Sequence, residues 1–204
     1  ASHPSYKWIV VGLLWFVCRR WLPETLPVER RRSLHPAYLG RTYWKVLTRP
    51  DFLAATMAQS LNFCGFFVYV LSAPVFLMTH LGVSERDFLW LFGPAMAGLM
   101  LGNWLSGRLA GRLTPLQCIA RGYAVMATAA IVNLAVSHAL PPGVPWSVLP
   151  LFLYTTGMAL TMAPLTLLAL DPFAGERGLA ASCQTFLHAG TNGLVAGLVA
   201  PLLW

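Results

Sequence analysis

Charge is what this sequence is short of. Asp, Glu, Lys and Arg together make up 10% of its 204 residues, and only seven are acidic, against roughly 25% charged residues in ordinary soluble chains. That shortage excludes a soluble globular domain of this size, which needs polar side chains to cover its outside. Closely paired thiols are missing too. Cys18, Cys64, Cys118 and Cys183 stand far apart, so a zinc or dithiol redox site is not expected and small buried residues are. Nor does the chain contain H-E-x-x-H, G-x-S-x-G or G-x-x-x-x-G-K-[ST], the signatures of zinc peptidases, α/β-hydrolases and P-loop enzymes. Neither an enzyme nor a cofactor or metal site is expected.

What remains is apolar sequence. Hydrophobic residues form 57% of the chain, and the mean hydropathy is +0.62. Six apolar runs follow one another: Tyr6 to Leu22, Phe52 to Met78, Phe88 to Leu109, Leu116 to Leu140, Trp146 to Leu170 and Leu179 to Trp204. Each approaches the roughly 20 residues that cross a hydrocarbon core as a helix, and none shows the strict alternation of a barrel strand. The expected fold is therefore all-α: a polytopic membrane protein of six transmembrane helices in a lipid bilayer. Residues 1–22 give the first span, 23–51 a basic loop, and 52–204 a bundle of five helices.

The positive charges set the orientation, because cytoplasmic loops retain Lys and Arg. With the 23–51 loop inside, twelve of the fourteen Lys and Arg fall on that side, and only Lys7 and Arg86 oppose them. The net charge of +7 is then a topology signal, and Arg30-Arg31-Arg32 reads as an anchor facing anionic lipid rather than a nucleic-acid site. The first run has its arginines after its apolar core, opposite to a signal peptide. Both ends stop beside a hydrophobic run, so the chain is expected to be incomplete.

Within the runs, glycines four apart at Gly98/Gly102, Gly107/Gly111 and Gly193/Gly197 predict close helix packing. Pro74 and Pro164 remove backbone donors and predict kinks, with Pro164, near Thr161, marking a static bend or a flexible stretch beside a solute path. Polar residues inside a bilayer need a partner or a wet cavity. Gln59, Asn62, Phe66 and Tyr69 form one stripe at helical spacing; Gln184, His188 and Thr191 form another, with Asn192 adjoining. The stripes are expected to line a cavity for a partly apolar solute, whereas Asn103 and Asn133 are expected to make interhelical hydrogen bonds. No Asp, Glu, Lys or Arg sits near the centre of a run. His188 is the one interior group that titrates near neutrality, and a lone membrane histidine is expected to be a hydrogen-bonded structural residue rather than a proton relay.

The stretch Phe66-Phe67-Val68-Tyr69-Val70-Leu71-Ser72-Ala73-Pro74-Val75-Phe76, with Leu81-Gly82-Val83-Ser84 and Phe88, resembles the seventh helix and following loop of bicyclomycin-resistance (Bcr/CflA-type) drug antiporters of the major facilitator superfamily. Leu22-Pro23-Glu24-Thr25-Leu26, Gly98-Leu99-Met100-Leu101-Gly102, Ala169-Leu170-Asp171-Pro172-Phe173 and Gly178-Leu179-Ala180-Ala181-Ser182 match in the same order. The resemblance covers nearly the whole chain and makes the six runs helices six to eleven of twelve. It implies alternating access in a bacterial inner membrane, exporting small drug-like or amphiphilic substrates in exchange for protons, with a missing N-terminal half as partner. It also implies that Asn62, Phe66, Tyr69, Tyr154, Met158 and Thr161 line the central cavity, flanked by Gln184 and His188. Gly107-Arg108-Leu109-Ala110-Gly111-Arg112 resembles a cytoplasmic loop motif of the superfamily that has lost its aspartate. Two other readings stand beside export: a uniporter or importer of a small nutrient, and a truncated membrane fragment that transports nothing by itself.

Overall fold

The computed structural model describes residues 5–21, 35–75, 89–139, 141, 146 and 148–199. Seven α-helices are formed there: α1 (Ser5–Trp21), α2 (Pro36–Leu47), α3 (Pro50–Val75), α4 (Leu89–Leu109), α5 (Pro115–Ala139), α6 (Leu149–Leu170) and α7 (Arg177–Leu194). A 3₁₀ turn at Asp171–Phe173 joins α6 to α7, and a π turn at Val195–Val199 continues α7. Five of the predicted runs coincide with α1, α3, α4, α5 and α6 to within a few residues. The sixth begins two residues earlier than expected and changes from α to π winding; its last residues lie outside the described ones, as do the loop motifs at 22–26 and 81–88.

The chain divides into two compact units, Ala1–Gly40 and Arg41–Trp204. In the first, α1 is a helix of 17 residues whose described side chains, from Trp8 to Trp21, are all exposed. α2 stands inside the segment read from sequence as a connecting loop. Its start is set by His35, whose carbonyl accepts from Leu39 N at 3.1 Å and whose ring nitrogen accepts from Ala37 N at 3.3 Å. Pro36 takes the first helical position, where its missing N–H costs nothing.

The second unit is built around α6. Apolar over most of its circumference and buried over much of its length, with Leu149 and Leu167 left exposed, it packs against α3, α4, α5 and α7. Glycine lets two of these neighbours approach. A Cβ on Gly98 would meet Thr155 Oγ1 and Phe152 O, and one on Gly102 would meet Thr156 O and, at 2.7 Å, Ala159 Cβ; the Gly98/Gly102 spacing thus seats α4 on α6. Across the hub, a Cβ on Gly122 would meet Gly157 O at 2.8 Å, and one on Gly157 would meet Gly122 O at 2.6 Å. Backbones of α5 and α6 therefore touch with no side chain between them. Gly193 and Gly197 have the same spacing as Gly98/Gly102, yet a Cβ there meets nothing within 4 Å among the described residues. Gly107 likewise faces open space. Gly111 has φ +80°, so its role is to turn the chain in the left-handed region that glycine adopts without strain.

These contacts fix the directions. Along α4, positions 98 and 102 meet 152–155 and 156–159, so α4 and α6 run parallel; 122 meets 161 and 126 meets 157, and 59, 62 and 65 meet 162–166, 161 and 154 in turn, so α5 and α3 are antiparallel to α6. Consequently Lys45, Arg49, Arg108, Arg112, Arg121 and Arg177 gather at one end of this unit. There Thr114 and Gln117 form a reciprocal cap on α5, with Gln117 N donating to Thr114 Oγ1 at 3.3 Å and Thr114 N to Gln117 Oε1 at 3.1 Å. One core lies at the same end: Val46, Phe52, Ala55, Leu165, Ala169, Phe173, Ala180 and Cys183. Phe52 meets Phe173 edge-on at 5.8 Å, Arg49 lies over the Phe173 ring at 5.6 Å, and Lys45 Nζ stands 3.6 Å from Glu176 Oε2. The second half of α2 is thereby tied to the α6–α7 turn.

Much of the outside stays apolar. Leu116, Ile131 and Leu134 on α5 are exposed at 68%, 68% and 62%. Among the described residues, Pro115–Ala139 and Leu149–Phe173 are long and apolar enough to cross a membrane.

Candidate functional site

Positions 56, 59, 60, 63 and 64 of α3 fall three or four apart, so they share a face. That face meets α7 in three polar pairs. Gln184 Nε2 donates to Gln59 Oε1 at 2.9 Å, His188 Nδ1 lies 3.3 Å from Ser60 Oγ, and Cys64 Sγ approaches Asn192 Oδ1 at 3.1 Å. Partners advance together along both helices, so α3 and α7 are parallel. Phe63 covers the imidazole of His188 with ring centroids 5.1 Å apart and packs on Phe66 and Phe67.

Gln59 belongs to a second group as well. Its Nε2 points at Met162 Sδ at 3.4 Å, and its Oε1 lies 3.4 Å from Thr166 Oγ1, whose hydrogen goes first to the Met162 carbonyl at 3.0 Å, so one amide joins α3, α6 and α7. A turn further along, Asn62 Nδ2 donates to Thr161 Oγ1 at 3.3 Å, and Tyr154 Oη donates to the Asn62 carbonyl at 2.8 Å. Thr161 passes its own hydrogen to Met158 O at 2.8 Å, which leaves its oxygen free to accept. These bonds satisfy groups that hydrocarbon cannot, each contributing about 0.6 kcal/mol and at most about 2 kcal/mol by analogy with measured interhelical bonds.

The two sequence stripes are therefore brought together, but not on one open surface. Gln59, Gln184 and His188 meet at the α3–α6–α7 junction. Asn62, Phe66, Met158 and Thr161 are buried between α3 and α6, with Phe66 and Met158 in a core shared with Ala95, Val148 and Leu151. Tyr69 and Pro74 lie in the last turns of α3, where their side chains fall outside the described residues. Pro164 sits inside α6, which continues as a helix through Leu170. Pro94, which the sequence reading passed over, sits inside α4 and removes a further backbone donor. Gly107, Arg108, Gly111 and Arg112 are exposed at the α4–α5 turn, far along the chain from the polar junction, with Arg108 over the Trp104 ring at 4.5 Å.

A cleft of about 270 Å³ opens beside Tyr154, lined by Gly65, Ala129, Ala130, Asn133, Pro150 and Leu151. Asn133 and Asn103 are exposed and make no hydrogen bond among the described residues, contrary to the interhelical bonds expected of them. One further polar atom stands out. Thr56 Oγ1 is fully buried and has no hydrogen-bond partner among the described residues, at a cost of about 1–3 kcal/mol. Thr56→Val in the intact protein is expected to raise its thermal unfolding midpoint in detergent; a fall of similar size would mean that water or solute satisfies that hydroxyl.

Amides, hydroxyls, one imidazole and aromatic rings in an apolar helical bundle can hold a solute by contact and a few hydrogen bonds. Comparison with known proteins agrees with that chemistry. The family model of the Major Facilitator Superfamily matches residues 6–196. The chain belongs to that superfamily. It is thus part of a membrane transporter family, not an enzyme family. Among its superfamily relatives, it is 31% identical over 161 residues to the multidrug transporter MdfA of Edwardsiella piscicida, covering 77% of this chain and 38% of that protein. To MdfA of Edwardsiella ictaluri it is 30% identical over 188 residues, 89% of this chain and 45% of the relative. To MdfA of Escherichia coli O157:H7 it is 26% identical over 184 residues, 88% and 43%. The chain spans about two-fifths of the length of these superfamily members.

Proposed function

We propose that this chain is most of the second half of a drug exporter of the Bcr/CflA type, driven by protons through alternating access in a bacterial inner membrane. On this reading α1 and α3–α7 are six spans, helices six to eleven of the family fold; residues 23–51 are the cytoplasmic link between bundles, and 52–204 the incomplete second bundle. The gathering of basic side chains at one end of the second unit supports that topology. Similarity to multidrug transporters over most of the chain supports export as the direction.

The observation that carries the proposal is the junction of Gln59, Thr166 and Gln184. Three helices there place hydrogen-bonding groups, without formal charge, among Phe63, Phe66 and Met162. Such a lining suits amphiphiles of varied shape, which need broad apolar contact and few orienting bonds. In the transport cycle, α3 and α6 part where Asn62, Tyr154, Met158 and Thr161 now pack, and those side chains become cavity wall. Pro74 and Pro164 are the points at which the helices bend, and the Gly107–Arg112 turn moves with the cytoplasmic face.

The test uses the intact gene in a drug-sensitive bacterium. Resistance to lipophilic cations is expected to rise while a proton gradient exists and to vanish when an uncoupler collapses it. Resistance that survives the uncoupler overturns proton drive. Purified protein that binds a sugar or amino acid and ignores lipophilic cations favours nutrient uniport or import instead. Flux through liposomes holding this chain alone is expected to be zero.

A further inference from the structure

The hydrogen bonds around His188 fix which of its nitrogens is free. Ser60 Oγ lies 2.8 Å from the carbonyl of Thr56, a group that only accepts, so the hydroxyl hydrogen is spent there. What Ser60 offers His188 Nδ1 at 3.3 Å is a lone pair. Nδ1 therefore carries a hydrogen, an assignment made from the network, and Nε2 is the basic nitrogen. Nε2 has no hydrogen-bond partner among the described residues. Proton uptake there leaves Nδ1 donating as before, so the bond to Ser60 survives the change of charge. The Phe63 ring packs against the imidazole with centroids 5.1 Å apart and the planes tilted by 56°.

The surroundings make a charge at this point count. Titratable groups on the elements packed against α7 are Asp51, Cys64 and Tyr69 on α3, Tyr154 and the following Asp171 at the end of α6, and on α7 itself Arg177 and Cys183, with Glu176 just before it. Asp51 lies about 13 Å along α3 from Ser60, and Arg177 about 16 Å along α7 from His188, at 1.5 Å per residue. Cys64 and Tyr154 are committed to Asn192 and to the Asn62 carbonyl. No carboxylate among the described residues stands beside His188 to neutralise an imidazolium. Gln184 is one turn below His188, about 6 Å along the helix.

We infer that His188 is a proton-binding site of this half: one proton from water adds to Nε2, no bond in the protein breaks, and the resulting positive charge excludes a cationic solute from the adjacent Gln59–Gln184 amides. Proton and cation then compete, which is the requirement for exchanging one for the other, and by linkage each weakens the other equally. This rests on the export reading for its consequence, though not for the proton site itself. Two unit charges about 7 Å apart at an effective dielectric constant near 20 repel enough to weaken binding by about tenfold or more.

Nitrogen-15 histidine spectra of the intact purified protein, assigned through His188→Asn, are expected to show the Nδ1–H tautomer and uptake of a proton at Nε2 as the pH is lowered. A neutral Nε2–H tautomer, or no titration, overturns the site. Tetraphenylphosphonium is expected to bind at least roughly twofold more weakly at pH near 5.5 than near 8, while uncharged triphenylphosphine oxide binds equally at both. His188→Asn keeps a donor toward Ser60 and is expected to abolish the difference; a variant that retains it overturns the competition. Should the intact protein bind neither probe, the export reading fails, and the histidine spectra still decide the proton site.

Discussion

Replacing Gly157 by valine is expected to leave the intact protein unable to fold in the membrane. A Cβ at this position falls 2.6 Å from Gly122 O, 2.7 Å from Met126 Cγ and 3.0 Å from Met126 N. Two of those atoms are backbone, so no rotamer change relieves the overlap; α5 and α6 must separate. Overpacking of this kind costs about 1–3 kcal/mol where neighbours can yield and more where they cannot. Separation would also disturb the hub on which α3, α4 and α7 are arranged. The measurement is the yield of monodisperse protein from membranes, with Gly193→Val as control, since a Cβ there meets nothing among the described residues. Equal yields for both variants would mean that α5 and α6 are not in backbone contact.

The same pair shows where sequence reading stops. Gly98 and Gly102 were legible because their four-residue spacing writes a groove along one face. Gly122 and Gly157 are single glycines on different helices, and nothing in either segment says that they meet. Conversely, Gly193 and Gly197 carry the spacing, and a Cβ at either meets nothing among the described residues, because a small-residue stripe states what a helix permits, not what occupies it. α2 escaped for another reason. Its segment was read by hydropathy, and Leu39, Tyr43, Val46 and Leu47 form a short apolar stripe diluted by Arg41 and Lys45; the three-to-four spacing was available, and Pro36 marked the start.

The polar stripes were legible as faces and illegible as a junction. Successive residues on a helix turn by about 100°, so Gln59 and Asn62, three apart, diverge by about 60°. Against a flat lipid surface that difference is trivial. Between two helices it sends Gln59 to α7 as well as α6, and Asn62 to α6. Sequence spacing also cannot tell a stripe that lines water from one that bonds a neighbour, because both need the same residue types.

A double substitution separates those two roles. Gln59→Leu alone removes the acceptor of Gln184 Nε2 and strands that amide, which costs about 1–3 kcal/mol, while Thr166 Oγ1 keeps the Met162 carbonyl. Gln184→Leu alone leaves Gln59 with Thr166 and Met162 and costs less. Together, Gln59→Leu and Gln184→Leu replace both members of the pair by apolar groups, an exchange that is close to neutral when both partners go. The unfolding midpoint of the double variant is therefore expected near that of the wild type, with a coupling energy of about 0.5–3 kcal/mol between the sites. If the amides only bond one another, export returns with stability. If they orient a solute, the double variant folds normally and still exports solutes bearing a hydrogen-bonding head at least about tenfold more slowly, the rate equivalent of 1.4 kcal/mol. We expect the second outcome, because Gln59 divides its amide among Met162, Thr166 and Gln184 at 3.4, 3.4 and 2.9 Å. Two of those contacts are long ones that an entering solute replaces at little cost.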